Sequence, residues 1–367
     1  MYTNLLNSIK HSSLNVAKNV LESLLKEGAE PWVIHEALFP VVQSVLNPPF
    51  INPHLPKMYA INRELAGYLQ PEDVAMLVRV EVEEYARREK LKPIAPPSLL
   101  PSLSDFKEVE NAIAARDVLT TSGTLSAFLA KAGPLQLAKN LLILGSGYLD
   151  QSLGHSISCT AYLIIEMDIR KDEDPWPVLV SIAEYFCKGN FSQRPKMQYS
   201  AISDYPEVYL IDVKRAVSGT GIAPLHHTIT LYAIERSRHL LDQQEYDHLL
   251  TRWNKMLGDK GEDLIPSAEI ASKPVPEFDA FYQIFLESSP TKILALAKKS
   301  LDSNEERKRL AGLLIKAVLR SYNVYYNTHY LTGLGATVWV MERFPAHPDV
   351  VLTCLNQYLD FFFSIVD

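Results

Sequence analysis

Four histidines open similar stretches of the chain, in two evenly spaced pairs. His54 and His155 are 101 residues apart, and His227 and His329 are 102 apart. They begin the runs HLPKMYAI, HSISCTAY, HTITLYAI and HYLTGLGA. An alanine follows six residues later in the first three (Ala60, Ala161, Ala233) and seven later in the fourth (Ala336). Neutral imidazole is the commonest protein metal ligand. Four of them in matching positions predict a metal centre between packed helices, with His54, His155, His227 and His329 as ligands. His226 is the alternate to its neighbour. The register picks His227, because Tyr232-Ala233-Ile234 then aligns with Tyr59-Ala60-Ile61. His35 reads as a core histidine. His11, His239, His248 and His347 stand in polar surroundings and read as surface residues.

Four imidazoles leave a divalent ion uncompensated in a helical interior, which is costly. An anionic partner is therefore expected. Glu64, Glu166, Glu235 and Glu342 follow the histidines by two or more turns, too far along each helix to be direct ligands. Lys139 and Lys316 lie in apolar runs, and a neutral buried lysine can take up CO2 to give an anionic carbamate; Lys316 is favoured. Nitrogen-rich ligation suits iron, zinc, copper or nickel. Metal occupancy is expected to fall below about pH 6, where unperturbed histidines protonate. Tyr59, Tyr232, Tyr326 and Tyr330 are candidate walls of an apolar pocket, and Gly333 and Gly335 let helices approach closely.

Three motifs carry a family resemblance. They are Phe50-Ile51-Asn52-Pro53-His54-Leu55-Pro56, the His226-His227 helix ending Tyr232-Ala233-Ile234-Glu235, and Thr328-His329-Tyr330-Leu331-Thr332-Gly333. Together they resemble the questin-oxidase-like family, although Pro53 stands where that family has asparagine. The resemblance implies an all-helical fold, a histidine constellation at His54, His155, His227 and His329, and iron and O2 chemistry on an aromatic polyketide-like substrate. Two readings from other classes stand beside it. One is a non-catalytic helical protein with structural or ligand-binding histidines. The other is haem held by two opposed histidines, with no CxxCH attachment motif.

The elements that must position these residues are helices. Apolar residues recur with helical period almost throughout, predicting an all-α, multi-helical single domain over 1–367 of fourteen to sixteen helices. One helix is predicted over 105–131. The run NLLILGSGYL at 140–149 offers a weak phosphate-loop echo, without the third glycine such a loop needs. Proline- and charge-rich segments at 92–103, 188–200 and 257–278 interrupt the pattern. The matching contexts of the histidine pairs suggest duplicated halves, 1–190 and 200–367, related by a pseudo-twofold axis.

Composition removes several function classes. The net charge of −7 argues against a nucleic-acid surface. The three cysteines form no CxxC and lie in apolar stretches, as buried thiols of a reducing compartment would. No run reaches the eighteen apolar residues of a membrane span, and the N-terminal stretch lacks a signal peptide's apolar core. A cytoplasmic protein without membrane insertion is expected. No Ser-His-Asp, HExxH or P-loop pattern competes with the histidines.

Overall fold

The helical periodicity folds as eighteen α-helices, with no β-strand, among the described residues of a computed structural model. The described residues are 2–43, 52–90, 94–97, 105–171, 173–189, 191, 205–322 and 327–364. The first ten helices are α1 (Thr3–Lys10), α2 (Leu14–Lys26), α3 (Pro31–Val42), α4 (His54–Ala66), α5 (Pro71–Arg87), α6 (Lys107–Ala114), α7 (Val118–Ala132), α8 (Pro134–Ser146), α9 (His155–Ile169) and α10 (Trp176–Lys188). The remaining eight are α11 (Tyr205–Val217), α12 (Ile222–Ser237), α13 (Gln243–Leu257), α14 (Phe278–Leu286), α15 (Pro290–Ser300), α16 (Asn304–Ser321), α17 (His329–Arg343) and α18 (Pro348–Ser364). One hydrophobic cluster runs through them from Leu5 to Phe363.

Local chemistry explains most boundaries. Proline occupies the first turn of α3, α5, α8, α10 and α15, where its missing N–H costs nothing. Asp242 and Glu245 form a reciprocal capping box at the start of α13. The single helix expected over 105–131 is instead two. Arg116 takes a left-handed φ of 58°, and the Asp117 carboxylate accepts from the Leu119 and Thr120 amides at 3.1 and 3.0 Å, restarting the chain as α7. Apolar periodicity is blind to such a three-residue break.

In NLLILGSGYL, Gly145 serves helix packing. That run lies in and just after α8, and a Cβ on Gly145 would stand 2.7 Å from the Ser156 carbonyl oxygen of α9. Residues 258–266 and 270–277 are irregular, as their composition predicts. Most of 92–103 and 188–200 lies outside the described residues.

Four helices form the heart of the fold. α4 packs against α9 and α17, and α12 packs against the same two, closing a ring. Small residues permit these approaches. A Cβ on Gly335 of α17 would meet Ile61 Cγ2 of α4 at 2.5 Å. The ring is tied further out by a buried ion network, in which Glu166 of α9, 1 % exposed, receives Arg63 Nε and Nη2 of α4, both at 2.8 Å. Arg170 Nη2 then bridges Glu36 of α3 at 2.7 Å and the Tyr59 hydroxyl at 2.8 Å. No helix among the described residues is long and apolar enough to cross a membrane.

Candidate metal centre

Three of the ring helices begin with a histidine at one shared point. His54, His155 and His329 are the first residues of α4, α9 and α17. Helical side chains lean toward the N-terminus, so these imidazoles project past the helix ends and meet. One ring nitrogen from each lies within 4.8 Å of the other two. The fourth imidazole comes from inside α12. His226 Nε2 stands 3.1 Å from His155 Nε2 and 3.0 Å from His329 Nε2.

The fourth imidazole at this point is thus His226, where the sequence register picked His227. α12 starts at Ile222, so its histidine sits one turn inside the helix, unlike the other three. Aligning helix starts by the Tyr-Ala-Ile triplets shifts the register by one residue. His227 points elsewhere. Its Nδ1 is buried and unpartnered among the described residues, and its carbonyl accepts from Trp253 Nε1 at 2.9 Å. Burial, with the charge of Lys260, pushes its pKa down to about 4.

The turn into α9 is built for closeness. Leu153 and Gly154 are both left-handed, with φ of 51° and 81°. A Cβ on Gly154 would collide with Thr230 Oγ1 of α12 at 2.0 Å. Only glycine allows this turn, and it sets His155 against His226.

The hydrogen bonds around the rings fix their tautomers. His155 Nδ1 contacts the Ser152 carbonyl at 2.6 Å, and His226 Nδ1 the Ile222 carbonyl at 2.7 Å. His329 Nδ1 contacts Asn327 Oδ1 at 3.0 Å, an oxygen that also accepts the His329 amide at 3.0 Å. Carbonyl oxygens only accept, so each Nδ1 carries the proton and each Nε2 presents a lone pair. His54 Nδ1 lies 2.8 Å from the Thr328 hydroxyl, which can accept in the same way.

The consequence decides what this place can hold. Three Nε2 lone pairs face one another in two contacts of 3.0 and 3.1 Å with no proton between them. Bare, that arrangement is repulsive. Two ligands at right angles on one ion with bonds of ~2.1 Å stand ~3.0 Å apart, so a transition metal ion fits these imidazoles. Haem does not fit. The ring centroids are 4.4 to 5.9 Å apart, and the rings fill the space a macrocycle would need.

Burial keeps the imidazoles neutral and ready to ligate. It holds His54, His155 and His329 well below the ordinary histidine value and pushes His226 down to about 3. Nearby positive charge adds to this, from Lys57 on His54, His155 and His226, and from His226 and then Lys57 on His329. Proton competition in the folded protein therefore starts far below pH 6, not at that value as free imidazoles would have it.

Lys57 is the residue that sequence reading overlooked. It follows His54 by one helical turn, is 0 % exposed, and its Nζ has no hydrogen-bond partner among the described residues. Burial pushes its pKa down to about 8. The signal was a lone charge inside the apolar run Leu55-Pro56-Lys57-Met58-Tyr59. Lys139 and Lys316, the expected carbamate carriers, are engaged elsewhere. Lys139 Nζ pairs with Glu245 at 3.0 Å, and Lys316 Nζ pairs with Asp73 at 2.9 Å over the Phe278 ring.

The glutamates of the histidine-bearing helices, too distant to be direct ligands, are engaged elsewhere too. Glu64 is held by the Tyr232 hydroxyl and by Arg236 at 2.6 Å, and Glu166 by Arg63 and Arg170. Glu235 accepts from the Tyr209 and Tyr246 hydroxyls at 3.0 and 2.5 Å. Glu342 is hydrogen-bonded by Tyr68. No carboxylate joins the histidine group among the described residues.

The tyrosines divide. Tyr330 is buried beside the centre, its ring 4.5 Å from Phe362 and 6.0 Å from Phe361, and Phe361 lies 6.0 Å from His329. Tyr59 and Tyr232 turn their hydroxyls into the ion pairs above, and the Tyr59 ring stacks on His35 at 4.2 Å. Tyr326, Phe50 and Ile51 lie outside the described residues. His35 is indeed a core histidine, bound through Nδ1 to Glu81 at 3.0 Å. His248 is buried rather than superficial, with Nε2 2.9 Å from Ser146 Oγ.

Comparison of the chain with family models, with curated proteins and with solved structures gave no match.

Proposed function

We propose that this protein is a metal-dependent oxidoreductase of the non-haem oxygenase kind. Its ion, iron in preference to zinc or another transition metal, is held by His54, His155, His226 and His329. The observation that carries the reading is the set of three facing Nε2 lone pairs whose Nδ1 protons are pinned by Ser152, Ile222 and Asn327. Pinned tautomers of this kind are the usual support of liganding histidines. Iron, when bound, supplies O2 activation and one-electron chemistry. His54, His155, His226 and His329 would hold it through nitrogen, a donor set that suits such a metal.

The chain's own residues do the rest. Thr328, Ser152, Ile222 and Asn327 orient the rings. The buried helix ring excludes bulk water, which strengthens every electrostatic interaction inside it. Tyr330 and Phe361 give the centre an apolar aromatic border, suited to an apolar, aromatic small molecule. The resemblance to the questin-oxidase-like family points to the same substrate class.

Metal quantification on the purified wild type, His155→Ala and His329→Ala tests the centre. Stoichiometric iron in the wild type and its loss in both folded variants are expected. Oxygen uptake with a hydroxyanthraquinone and with simple phenols tests the activity. A wild type that binds no transition metal ends the enzyme reading. Bound metal with no O2 uptake on any of these substrates makes the ion structural.

A further inference from the structure

The electrostatics of the centre are one-sided. α4, α9 and α17, of 13, 15 and 15 residues, all direct their N-termini at it. Each contributes roughly half a positive charge there, and neutral side chains cap two of them, Ser152 Oγ accepting the Ser156 amide and Asn327 Oδ1 the His329 amide, both at 3.0 Å. The four imidazoles are neutral. Lys57 brings the one ionisable positive side chain, fully buried and unpartnered among the described residues. Its influence reaches all four imidazoles. A divalent ion adds two further charges. Opposing these there is no carboxylate in the group among the described residues, because the acids of the histidine-bearing helices are bound elsewhere.

A second buried polar group occupies the matching helix position on α17. Thr332 follows His329 by three residues, as Lys57 follows His54, so each lies one turn below its imidazole with its side chain leaning back toward it. Thr332 Oγ1 is likewise buried and without a partner among the described residues. An ammonium and a hydroxyl offer donors. They call for an acceptor with a negative charge, and their depth in the helix ring restricts it to a few atoms.

We propose that the centre binds a small carboxylate-class monoanion, such as formate or bicarbonate, between Lys57 Nζ and the metal ion, and that anion and metal bind synergistically. The proposal rests on the metal reading above. The anion takes the place of the protein carboxylate that other metal sites supply, and Lys57 holds it. By linkage the coupling is reciprocal: the anion tightens metal binding and the metal tightens anion binding by the same factor.

The test is a metal titration of chelator-stripped, full-length protein with Co2+ or Zn2+ in buffer free of CO2 and carboxylates, then with formate, then with bicarbonate. A gain in metal affinity of order tenfold or more with either anion is expected. Lys57→Met should lose the gain. Lys57→Glu, which builds the carboxylate in, should bind metal tightly with no anion and ignore added formate. Wild-type affinity unchanged by both anions overturns the proposal, whatever the variants do. So does a response to bicarbonate alone accompanied by a carbamate resonance from 13C-labelled bicarbonate, since the anion is then covalent on Lys57. Absence of metal binding under every anion condition sinks the metal reading itself, whereas anion-independent binding sinks only this inference.

Discussion

Lowering the pH of metal-free protein should unfold it through its histidines. His54, His155, His226 and His329 are neutral in the fold, with pKa values pushed far below 6.5 by burial; His227 is pushed down to about 4. In the unfolded chain all five return to about 6.5. Between these limits the unfolded state binds more protons than the folded one, so stability falls as pH falls. The loss begins near pH 6.5 and ends only where the folded groups themselves protonate. Around pH 5.5 about nine-tenths of each unfolded imidazole is protonated, which gives about 1.2 kcal/mol per pH unit per group. The four centre histidines together give about 5 kcal/mol per pH unit, against a total stability of 5–15 kcal/mol for a typical fold. Glu64 and Glu84, raised by burial, act with the opposite sign but are outnumbered. Lys57, Lys90 and Lys260, pushed down to about 8, titrate outside the window. Urea unfolding in the presence of chelator, repeated from pH 7 to pH 5, measures the slope. About four protons should be taken up on unfolding at pH 5.5, and about one fewer in a folded His226→Gln variant. A slope of one proton or less would mean that the imidazoles are not buried together and neutral, and the centre would lose its basis.

Four further outcomes follow from named contacts. His226→Ala should weaken metal binding by about a hundredfold or more, while His227→Ala should change it only a few-fold; the reverse order in a metal titration would restore the register read from sequence. Asn327→Ala, which frees the His329 tautomer, should cost about 10–100-fold in metal affinity without unfolding the protein, as read by titration and circular dichroism. Gly154→Ala must place a methyl 2.0 Å from Thr230 Oγ1 at a φ of 81°, so urea unfolding should show a loss of about 1–3 kcal/mol; an unchanged midpoint would contradict the turn geometry. Glu166→Gln strips the charge that Arg63 and Arg170 share in the interior and should cost about 3–5 kcal/mol by the same measurement.

Periodicity reveals the helices because burial on one face is what makes them helices. It reveals the three helix-opening histidines because a side chain at a helix start leans outward past the end, and three such starts in like contexts must serve one point. It misplaces the fourth imidazole because α12 begins a turn earlier than its relatives, and which of two adjacent histidines faces inward depends on packing against α9 and α17. Lys139 and Lys316 look buried in sequence for the opposite reason. Their partners, Glu245 and Asp73, are distant in the chain, and long-range ion pairs leave no local mark. Lys57 was visible only as an anomaly, a charge among apolar residues. The break at Arg116 needed the conformation of one residue and the side-chain cap of the next.

The four clustered imidazoles come from α4, α9, α12 and α17, spread along the chain from residue 54 to residue 329. A ribosome delivers them in that order, and N-terminal segments begin to fold while later ones are still being made. A nascent chain that has not yet emitted α17 offers at most three of the four imidazoles. It also lacks Thr328 and Asn327, which orient His54 and His329. On the proposed metal reading, capture at full strength waits until synthesis has passed residue 329, and loading would mark chains whose helix ring has closed.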